Sequence, residues 1–285
     1  MHNQKVKVIL ITGCSSGFGL LTAVRLAASG HVVWATMRDL TCKAALENEL
    51  TKRNTQAAIR ELDVTKPATI KNVVQEIQET HGRIDVLINN AGYGISGFFE
   101  DLSEEDIRRQ MEVNFFGVQS VCREVIPFMR QRAKGKIINI SSISGQVAVP
   151  CLSAYNASKW ALEAFSESLY FELGLFGVCV VLVEPGSYPT HIFTQNAHYA
   201  RDFDNAQSPY FSLSQNLKNT VGQSIRKLKR DPEDVARLIE KVINKSHPRL
   251  RYVSDFSSWL RMMAQKILPP RLTASIFRRI VYDVK

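Results

Sequence analysis

The fold is decided by the stretch Thr12-Gly13-Cys14-Ser15-Ser16-Gly17-Phe18-Gly19, which stands between an apolar run at residues 7–11 and a helical pattern at residues 20–29. Glycines permit a tight turn and let the backbone approach a pyrophosphate, which then meets the positive N-terminal end of the helix. A glycine-rich stretch alone is weak evidence. Its position directly after the first predicted strand favours a dinucleotide site over an ordinary turn.

Strands and helices alternate along the first 190 residues. Strands are predicted at residues 7–11, 32–36, 59–62, 86–89, 136–141 and 178–183, and helices at 20–29, 70–80, 104–128 and 155–173, the third ending near Pro127. Such alternation predicts parallel strands joined by right-handed crossovers, with helices on both faces of the sheet. The sequence therefore predicts an α/β fold with a doubly wound, Rossmann-type parallel sheet.

The alternation stops after Pro189. Residues 190–220 are polar, aromatic-rich and weakly periodic, and a helical pattern returns at residues 232–244 with Asp231 as its N-cap and Pro232 at its first position. We expect a single domain. Its dinucleotide-binding and catalytic core covers residues 1–190, and residues 191–285 provide a substrate loop, a return to the core and a helical C-terminal lid.

The composition is that of a globular protein, since 45% of the 285 residues are hydrophobic and 22% are charged. No signal-peptide pattern is present, and the longest apolar run, residues 173–183, falls short of the ~20 residues that a membrane-spanning helix needs. The five cysteines are scattered and never spaced C-x-x-C, so neither a metal site nor a disulfide framework is predicted. We expect a cytoplasmic protein with free thiols.

Further motifs follow the later strands in order: Asn89-Asn90-Ala91-Gly92, then Ser142, then Tyr155-x-x-x-Lys159 thirteen residues after that serine, then Pro185-Gly186 with Thr190. Together with T-G-x-x-x-G-x-G, they make residues 5–190 resemble the short-chain dehydrogenase/reductase family. Residues 35–40, 231–236 and 250–252 look like the branch of that family that contains the 17-beta-hydroxysteroid and retinol dehydrogenases.

The resemblance implies two sets of site residues. The cofactor-binding set is Gly13, Ser15, Ser16, Gly17, Phe18, Gly19, Arg38, Asp63, Val64, Asn90, Ala91, Gly92, Tyr155, Lys159, Pro185, Gly186 and Thr190. The catalytic set is Asn114, Ser142, Tyr155 and Lys159. The resemblance also implies that Asp63 meets the adenine ring and that Asn114 helps hold a water linking Lys159 to solvent.

The chemistry of the second set also follows from the residues themselves. Tyr155 and Lys159 are four positions apart on a predicted helix, so their side chains share a face. A nearby ammonium favours the phenolate, so we expect Lys159 to lower the pKa of Tyr155 towards the range useful for proton transfer. Ser142 can donate a hydrogen bond to the substrate oxygen and stabilise charge there. This arrangement predicts an oxidoreductase that interconverts a carbonyl and an alcohol.

The end of the second predicted strand distinguishes between the two nicotinamide cofactors. Enzymes that prefer NAD have an acidic residue there, which binds the ribose 2′-hydroxyl. In the family that the sequence resembles, this position falls eighteen residues after Gly19, where the sequence has Met37 followed by Arg38. Arg38 can meet a 2′-phosphate by charge and bidentate hydrogen bonds, whereas Asp39 stands one step further on. We predict NADP(H).

The predicted substrate pocket is apolar and aromatic. Family geometry places it among loops that contain Tyr93, Phe98, Phe99, Val147, Val149, Leu152, Tyr188, His191 and Phe193. Such a lining suits a bulky steroid-, retinoid- or lipid-like carbonyl or alcohol. Two alternatives remain, a 3-oxoacyl-(acyl-carrier-protein) reductase-like enzyme and a non-catalytic NADP-binding regulator. The intact Ser142, Tyr155 and Lys159 argue against the regulator.

The net charge of +9 belongs to the C-terminal quarter, because residues 218–285 hold 16 Lys and Arg against 6 Asp and Glu. Residues 256–284 combine apolar and basic side chains, which fits either a helix that covers the substrate pocket or a weak peripheral contact with an anionic membrane surface. No recognition module accompanies the charge, so no nucleic-acid partner is predicted. The resemblance implies a homodimer or homotetramer through helices at residues 104–128 and 155–173.

Overall fold

The computed structural model describes residues 5–189 and 198–281. The strands of this part are, in chain order, β1 (Val8–Ile11), β2 (Val32–Met37), β3 (Ala58–Glu61), β4 (Val86–Asn89), β5 (Ile95–Ser96), β6 (Gly135–Ile140), β7 (Val178–Glu184), β8 (His198–Tyr199) and β9 (Arg251–Val253). Seven of them form one sheet in the order β3-β2-β1-β4-β6-β7-β9. Every pair in this sheet is parallel.

Helices cover both faces of the sheet. They are α1 (Gly17–Ala28), α2 (Ala44–Lys52), α3 (Pro67–His81), α4 (Glu104–Met111), α5 (Gly117–Gln131), α6 (Ser153–Gly174), α7 (Phe211–Lys227), α8 (Glu233–Asn244), α9 (Phe256–Ile267) and α10 (Pro270–Val281). One core lies between the sheet and α1, α2 and α8, and a second lies between the sheet and α3, α5 and α6. Because the central strands are buried on both faces, they are continuous apolar runs. The predicted doubly wound, Rossmann-type fold is confirmed.

Local signals set several helix ends. Pro67 is the first residue of α3, where its missing N–H is not needed, and Gly82 ends this helix with a φ of 65° that glycine adopts without strain. Ser103 and Asp106 form a reciprocal capping box at the start of α4. These ends hold the loops between strand and helix in fixed positions, which matters because the site residues lie on those loops.

The predicted single helix over residues 104–128 is wrong in two respects. A π-helical turn, Glu112–Phe116, interrupts it, and α5 continues through Pro127 to Gln131. Proline removes the hydrogen bond to the carbonyl four residues earlier. Here that carbonyl belongs to Arg123, an exposed residue.

The C-terminal third contains more regular structure than the sequence predicted. The helix α7 begins inside the weakly periodic region and continues beyond it, and β9 adds a seventh strand beside β7 that was not predicted. Asp231 accepts a hydrogen bond from the Glu233 N–H as an N-cap does, although the helix begins at Glu233 and not at Pro232. The division of the chain at residue 190 stays a prediction.

The strand order reverses between β1 and β4. In open parallel sheets, ligands bind outside the carboxyl ends of the strands at such a switch point. The loops that leave β1, β2, β4, β6 and β7 all line one cavity of about 2240 Å³. Within the described residues, no helix combines the length and the apolar character needed to cross a membrane.

Candidate active site

The glycine-rich turn joins β1 to α1. Gly13 and Gly17 have φ angles of 72° and 58°, which side-chain-bearing residues rarely adopt. A Cβ on Gly19 would collide with the Gly13 carbonyl oxygen and the Asn90 side chain. The turn lines the cavity through Gly13, Ser15, Ser16, Gly17 and Phe18. It places the N-terminal end of α1, with its positive dipole, at the cavity wall.

Asn90 fastens this turn to the end of β4. Its Nδ2 donates to the carbonyl oxygens of Thr12 and Gly13, both at 2.9 Å. The Thr12 hydroxyl accepts in return from the backbone N–H groups of Asn90 and Ala91, at 3.0 Å each. The loop Asn90-Ala91-Gly92 is thereby held against the turn, and all three residues line the cavity.

The end of β2 brings Arg38 and Asp39 to the same cavity. The Asp39 carboxylate is engaged locally, because its Oδ1 accepts from the Thr41 N–H at 2.9 Å and from the Thr41 hydroxyl at 2.6 Å. These hydrogen bonds hold the pKa of Asp39 below its usual value. Arg38 is exposed at the cavity rim. This strand end therefore presents the Arg38 cation beside a carboxylate whose Oδ1 is already engaged.

Asp63 and Val64 follow β3 and form the adjoining wall. Asp63 Oδ1 accepts from the Thr65 N–H at 3.0 Å and from the Thr65 hydroxyl at 2.8 Å, which fixes the loop. Thr190, predicted to bind the cofactor, lies outside the described residues. The other predicted cofactor-binding residues line the cavity, apart from Gly19, which supports the turn from behind.

Ser142, Tyr155 and Lys159 meet deeper in this cavity. Ser142 follows β6, and its Oγ accepts from the Ser144 N–H at 3.1 Å. Tyr155 and Lys159 lie on α6, with the Lys159 Nζ 5.9 Å from the centre of the Tyr155 ring. The Lys159 ammonium donates to the Ile140 carbonyl oxygen at 2.8 Å, so the end of β6 holds it in place.

Burial controls the acidity of these groups. It lowers the pKa of Lys159 to about 8, against an opposing effect of Glu163. Burial raises the pKa of Tyr155, with a hydrogen bond to Ser142 acting in the opposite direction. The prediction that Lys159 lowers the pKa of Tyr155 is wrong for this structure, because desolvation of the hydroxyl dominates and the ammonium is directed to the Ile140 carbonyl.

Asn114 lies in the π-helical turn and is almost fully buried. Its Nδ2 donates to the Tyr93 carbonyl oxygen at 2.9 Å and to the Ser158 hydroxyl at 3.1 Å, while its Oδ1 accepts from the Tyr93 N–H at 3.1 Å. Asn114 thus ties the loop after β4 to α6, one residue before Lys159. Its role in a proton relay stays a prediction.

Pro185-Gly186 leaves β7 beneath α9. The Ile143 N–H donates to the Pro185 carbonyl oxygen at 3.1 Å, which joins this loop to the one that carries Ser142. A Cβ on Gly186 would collide with the Ser258 hydroxyl. Glycine is therefore required at position 186, where α9 packs over the cavity.

The apolar part of the cavity differs from the predicted pocket. Tyr93, Val149, Leu152 and Tyr188 line it as predicted, and His191 and Phe193 lie outside the described residues. Three predicted lining residues do not line it: Phe98, whose ring stacks on Tyr210 at 4.5 Å; Phe99, which is exposed; and Val147, which is buried in the core. Later segments supply the lining that was not predicted, including Tyr199, Phe203, Leu217, Ile276 and Phe277.

A buried acidic cluster behind α6 was also not predicted. Arg251 on β9 lies with its Nε 2.9 Å from Glu163 Oε2 and 3.5 Å from Glu184 Oε1, and its Nη2 binds Glu167 at 2.8 Å. Glu163 and Glu184 are both nearly inaccessible. Glu163 lies one helical turn beyond Lys159, and Glu184 precedes Pro185, so the cluster supports two segments of the site. Nothing in the sequence pairs residues so far apart.

The residues present fit a dinucleotide cofactor. The positive φ angles, the helix N-terminus and the Asn90 hydrogen bonds leave a rigid, side-chain-free surface for a pyrophosphate. A Cβ at Gly17 would point into open space, so the wall of the cavity is bare there. A parallel sheet with such a surface at its switch point defines the class of dinucleotide-binding oxidoreductases.

The chain belongs to the short chain dehydrogenase family, which matches it over residues 7–200. It is 44% identical over 190 residues to a 3-ketodihydrosphingosine reductase of Bacteroides thetaiotaomicron, covering 67% of this chain and 66% of that protein. Retinol dehydrogenase 8 of Homo sapiens is 36% identical over 265 residues, covering 86% and 80%. A Burkholderia phymatum short chain dehydrogenase/reductase, solved in complex with NAD, is 26% identical with a TM-score of 0.80, covering 93% and 95%.

Proposed function

We propose that this oxidoreductase uses NADP(H) to interconvert a carbonyl and an alcohol on a lipophilic substrate, with Tyr155 as the general acid and base. The observation that carries the proposal is the convergence of Ser142, Tyr155 and Lys159 in one cavity, between the glycine-rich turn and an apolar wall. The family gives the reaction class, and the remaining details rest on the chemistry of these residues.

Tyr155 exchanges the proton. A bound reduced nicotinamide would supply the hydride that reduces the substrate carbonyl carbon. The raised pKa of Tyr155 keeps its phenol protonated at neutral pH, which is the form that donates to the substrate oxygen. Ser142 donates a hydrogen bond to the same oxygen. Lys159, with a pKa of about 8, holds a replacement proton one helical turn away. In oxidation, each transfer runs in reverse.

The preference for NADP(H) rests on Arg38 and Asp39. Arg38 is the cation at the cavity rim, and Thr41 engages the Asp39 carboxylate that could otherwise bind a ribose 2′-hydroxyl. A 2′-phosphate carries charge that Arg38 can meet with two hydrogen bonds. Related structures of this fold hold NAD in one case and NADP in another, so the choice depends on these few side chains.

Replacing Arg38 with Asp should reverse the cofactor preference. We expect kcat/KM with NADPH to fall roughly 100-fold, because a charge-assisted bidentate contact is lost and a like charge faces the phosphate. Activity with NADH should be retained or rise. Steady-state kinetics with both cofactors measure this, and Lys71→Asp provides a control on an exposed cation that does not line the cavity. A wild-type enzyme that prefers NADH would contradict the assignment.

A lipophilic substrate is supported by the cavity wall opposite the glycine-rich turn. Apolar and aromatic side chains from five separate segments contribute to it: Val149, Leu152, Tyr188, Phe203, Leu268 and Phe277. The names of two similar proteins refer to a sphingoid ketone and to retinol, which are both long apolar molecules. A sugar would leave its hydroxyl groups unpaired against such a wall.

A spectrophotometric screen tests the whole proposal. NADPH oxidation is followed with steroid, retinoid, long-chain and small ketones and with an acyl-carrier thioester, and NADP⁺ reduction with the matching alcohols. Turnover that increases with the apolar size of the substrate supports the proposal. Turnover confined to acyl-carrier substrates would favour the carrier-protein reductase, and tight NADPH binding without any turnover would favour the regulator.

A homodimer or homotetramer is also part of the proposal. The aromatic side chains of Phe116, Trp160 and Phe171 are exposed on the helices predicted to mediate contact. Large exposed apolar groups of this kind mark interaction surfaces. Light scattering of the purified protein measures its mass, and a monomer at all concentrations would contradict the assembly.

A further inference from the structure

The helix α9 carries an apolar stripe on its solvent side. Phe256, Trp259, Leu260 and Ile267 are 74%, 43%, 54% and 80% exposed, and Met263 between them is partly exposed. Their spacing of i, i+3, i+4, i+7 and i+11 places them on one side of the helix. The Phe256 and Trp259 rings stack on each other with centres 5.6 Å apart. We call these five residues the α9 stripe.

The rest of α9 already contacts the protein. Ser258 and Met262 are buried against it, and Arg261, Ala264 and Leu268 line the cavity. An amphipathic helix of a globular protein normally turns its apolar stripe towards the core. Here a different side of the helix serves as the cavity lid, and the stripe is left facing water. Contiguous exposed apolar side chains of this size indicate an interaction site.

The charged residues of α9 and α10 are all basic. Residues 256–281, which include α9 and α10, contain Arg261, Lys266, Arg271, Arg278 and Arg279 but no Asp or Glu. The last three arginines and Lys266 are exposed. On α10, Leu272 and Ile276 are also exposed, beside Arg271 and Arg279. The two helices thus expose apolar side chains together with charges that are exclusively cationic.

We propose that the α9 stripe and the arginines of α10 form a docking surface for an anionic lipid membrane. Apolar side chains enter the boundary between headgroups and acyl chains, tryptophan is favoured at that depth, and basic groups pair with anionic headgroups. A second copy of the chain is a poor occupant, because the exposed Lys266, Arg271, Arg278 and Arg279 would repel the same four cations of that copy.

Docking in this orientation sets where the cavity opens. Leu268 on the lid and Thr273, Ile276 and Phe277 on α10 line the cavity, and Ile276 is also exposed at the surface of α10. A lipophilic substrate could then pass from the membrane into the cavity without crossing water. This consequence rests on the proposed function, whereas the docking surface does not, so the two are tested separately.

Co-sedimentation with vesicles tests the docking surface directly. The full-length protein is mixed with phosphatidylcholine vesicles that contain about a third phosphatidylglycerol, and with pure phosphatidylcholine vesicles. We expect binding to the anionic vesicles at about 0.1 M salt and substantial release at about 0.5 M salt, because screening weakens the contribution of the arginines. Binding to pure phosphatidylcholine should be weak.

Paired substitutions separate the apolar and cationic contributions. Trp259→Ser with Ile267→Ser should lower the partition coefficient roughly 100-fold, since each side chain contributes about tenfold or more when it leaves water. Arg278→Gln with Arg279→Gln should lower it roughly 25-fold, because each basic residue near an anionic surface contributes roughly fivefold. Two matched controls remove exposed residues away from α9. The control for the apolar variant is Leu175→Ser, and the control for the cationic variant is Lys71→Gln with Lys134→Gln.

Tryptophan fluorescence provides a second readout. Trp34 is buried in β2, so a Trp160→Phe variant leaves Trp259 as the exposed tryptophan. A blue shift on addition of anionic vesicles would place Trp259 in the membrane interface. The proposal is overturned if the wild type does not sediment with anionic vesicles at low salt, or if the Trp259→Ser/Ile267→Ser variant sediments equally well. If the wild type self-associates without vesicles and the Trp259→Ser/Ile267→Ser variant does not, the surface binds a second copy of the chain instead.

Discussion

Replacing Tyr155 with Phe is expected to lower kcat/KM for the oxidoreductase reaction roughly 10²- to 10⁴-fold, the range contributed by a positioned general acid. The substitution removes only the hydroxyl group. Its ring packs beside Gly94, where a Cβ would lie 3.4 Å from the Tyr155 Cδ2, and phenylalanine keeps that contact. Binding of NADPH, followed by its fluorescence, should change little, because the glycine-rich turn and Asn90 are unaffected.

A matched control distinguishes loss of the acid from damage to α6. Tyr170 lies on the same helix and is partly exposed, away from the cavity. Tyr170→Phe should retain wild-type kcat/KM and wild-type thermal stability. If Tyr155→Phe kept more than a tenth of the activity, another group would have to supply the proton, and the assignment of Tyr155 would be wrong.

The sequence predicted those parts of the site that are carried by short motifs at strand ends. The stretch from Thr12 to Gly19, the Asn90 loop, Ser142 and the Tyr155–Lys159 pair each follow or begin an element with a strong local signal. Parallel strands bring their carboxyl ends to one edge of the sheet, so the order of the motifs was enough to place them in one cavity. The alternation of strands and helices predicted the doubly wound fold for the same reason.

The rest could not be predicted because it depends on contacts between distant segments. β9 has only three residues, too few for a periodic pattern, yet it brings Arg251 to carboxylates at positions 163 and 184. The rise in the pKa of Tyr155 comes from burial by several loops, which the spacing of Tyr155 and Lys159 does not reveal. Likewise, the sequence showed that α9 is amphipathic but not that its apolar stripe faces solvent.

The carboxyl group of Glu184 should make the protein less stable as the pH rises from about 5 to about 8. Burial, together with the neighbouring Glu163, raises the pKa of Glu184 from 4.5 to about 8, although Arg251 opposes this. Over that pH range the unfolded chain has released the proton while the folded protein keeps it. The free energy of unfolding therefore falls with increasing pH, and this contribution is fully present only below the unfolded pKa.

Replacing Glu184 with Gln removes that dependence while keeping the shape of the side chain. Relative to wild type, Glu184→Gln should gain on the order of 2–4 kcal/mol in the free energy of unfolding between pH 5 and pH 8.5. The gain arises because glutamine does not ionise. At pH 8.5 the wild type must either keep a proton on Glu184 or bury a second carboxylate beside Glu163. Urea unfolding at several pH values measures it.

Two companion variants show whether the effect belongs to the buried pair. Glu167→Gln removes a carboxylate that also binds Arg251 but is 46% exposed, so it should change stability by less than about 1 kcal/mol at every pH. Glu163→Gln removes the carboxylate that helps to raise the pKa of Glu184, so that pKa should fall back and the pH dependence should weaken. A stability difference between Glu184→Gln and wild type that stays constant from pH 5 to 8.5 would mean that Glu184 is ionised in the folded protein. In that case the charge of Arg251, and not protonation of Glu184, would compensate the carboxylates of Glu163 and Glu184 behind α6.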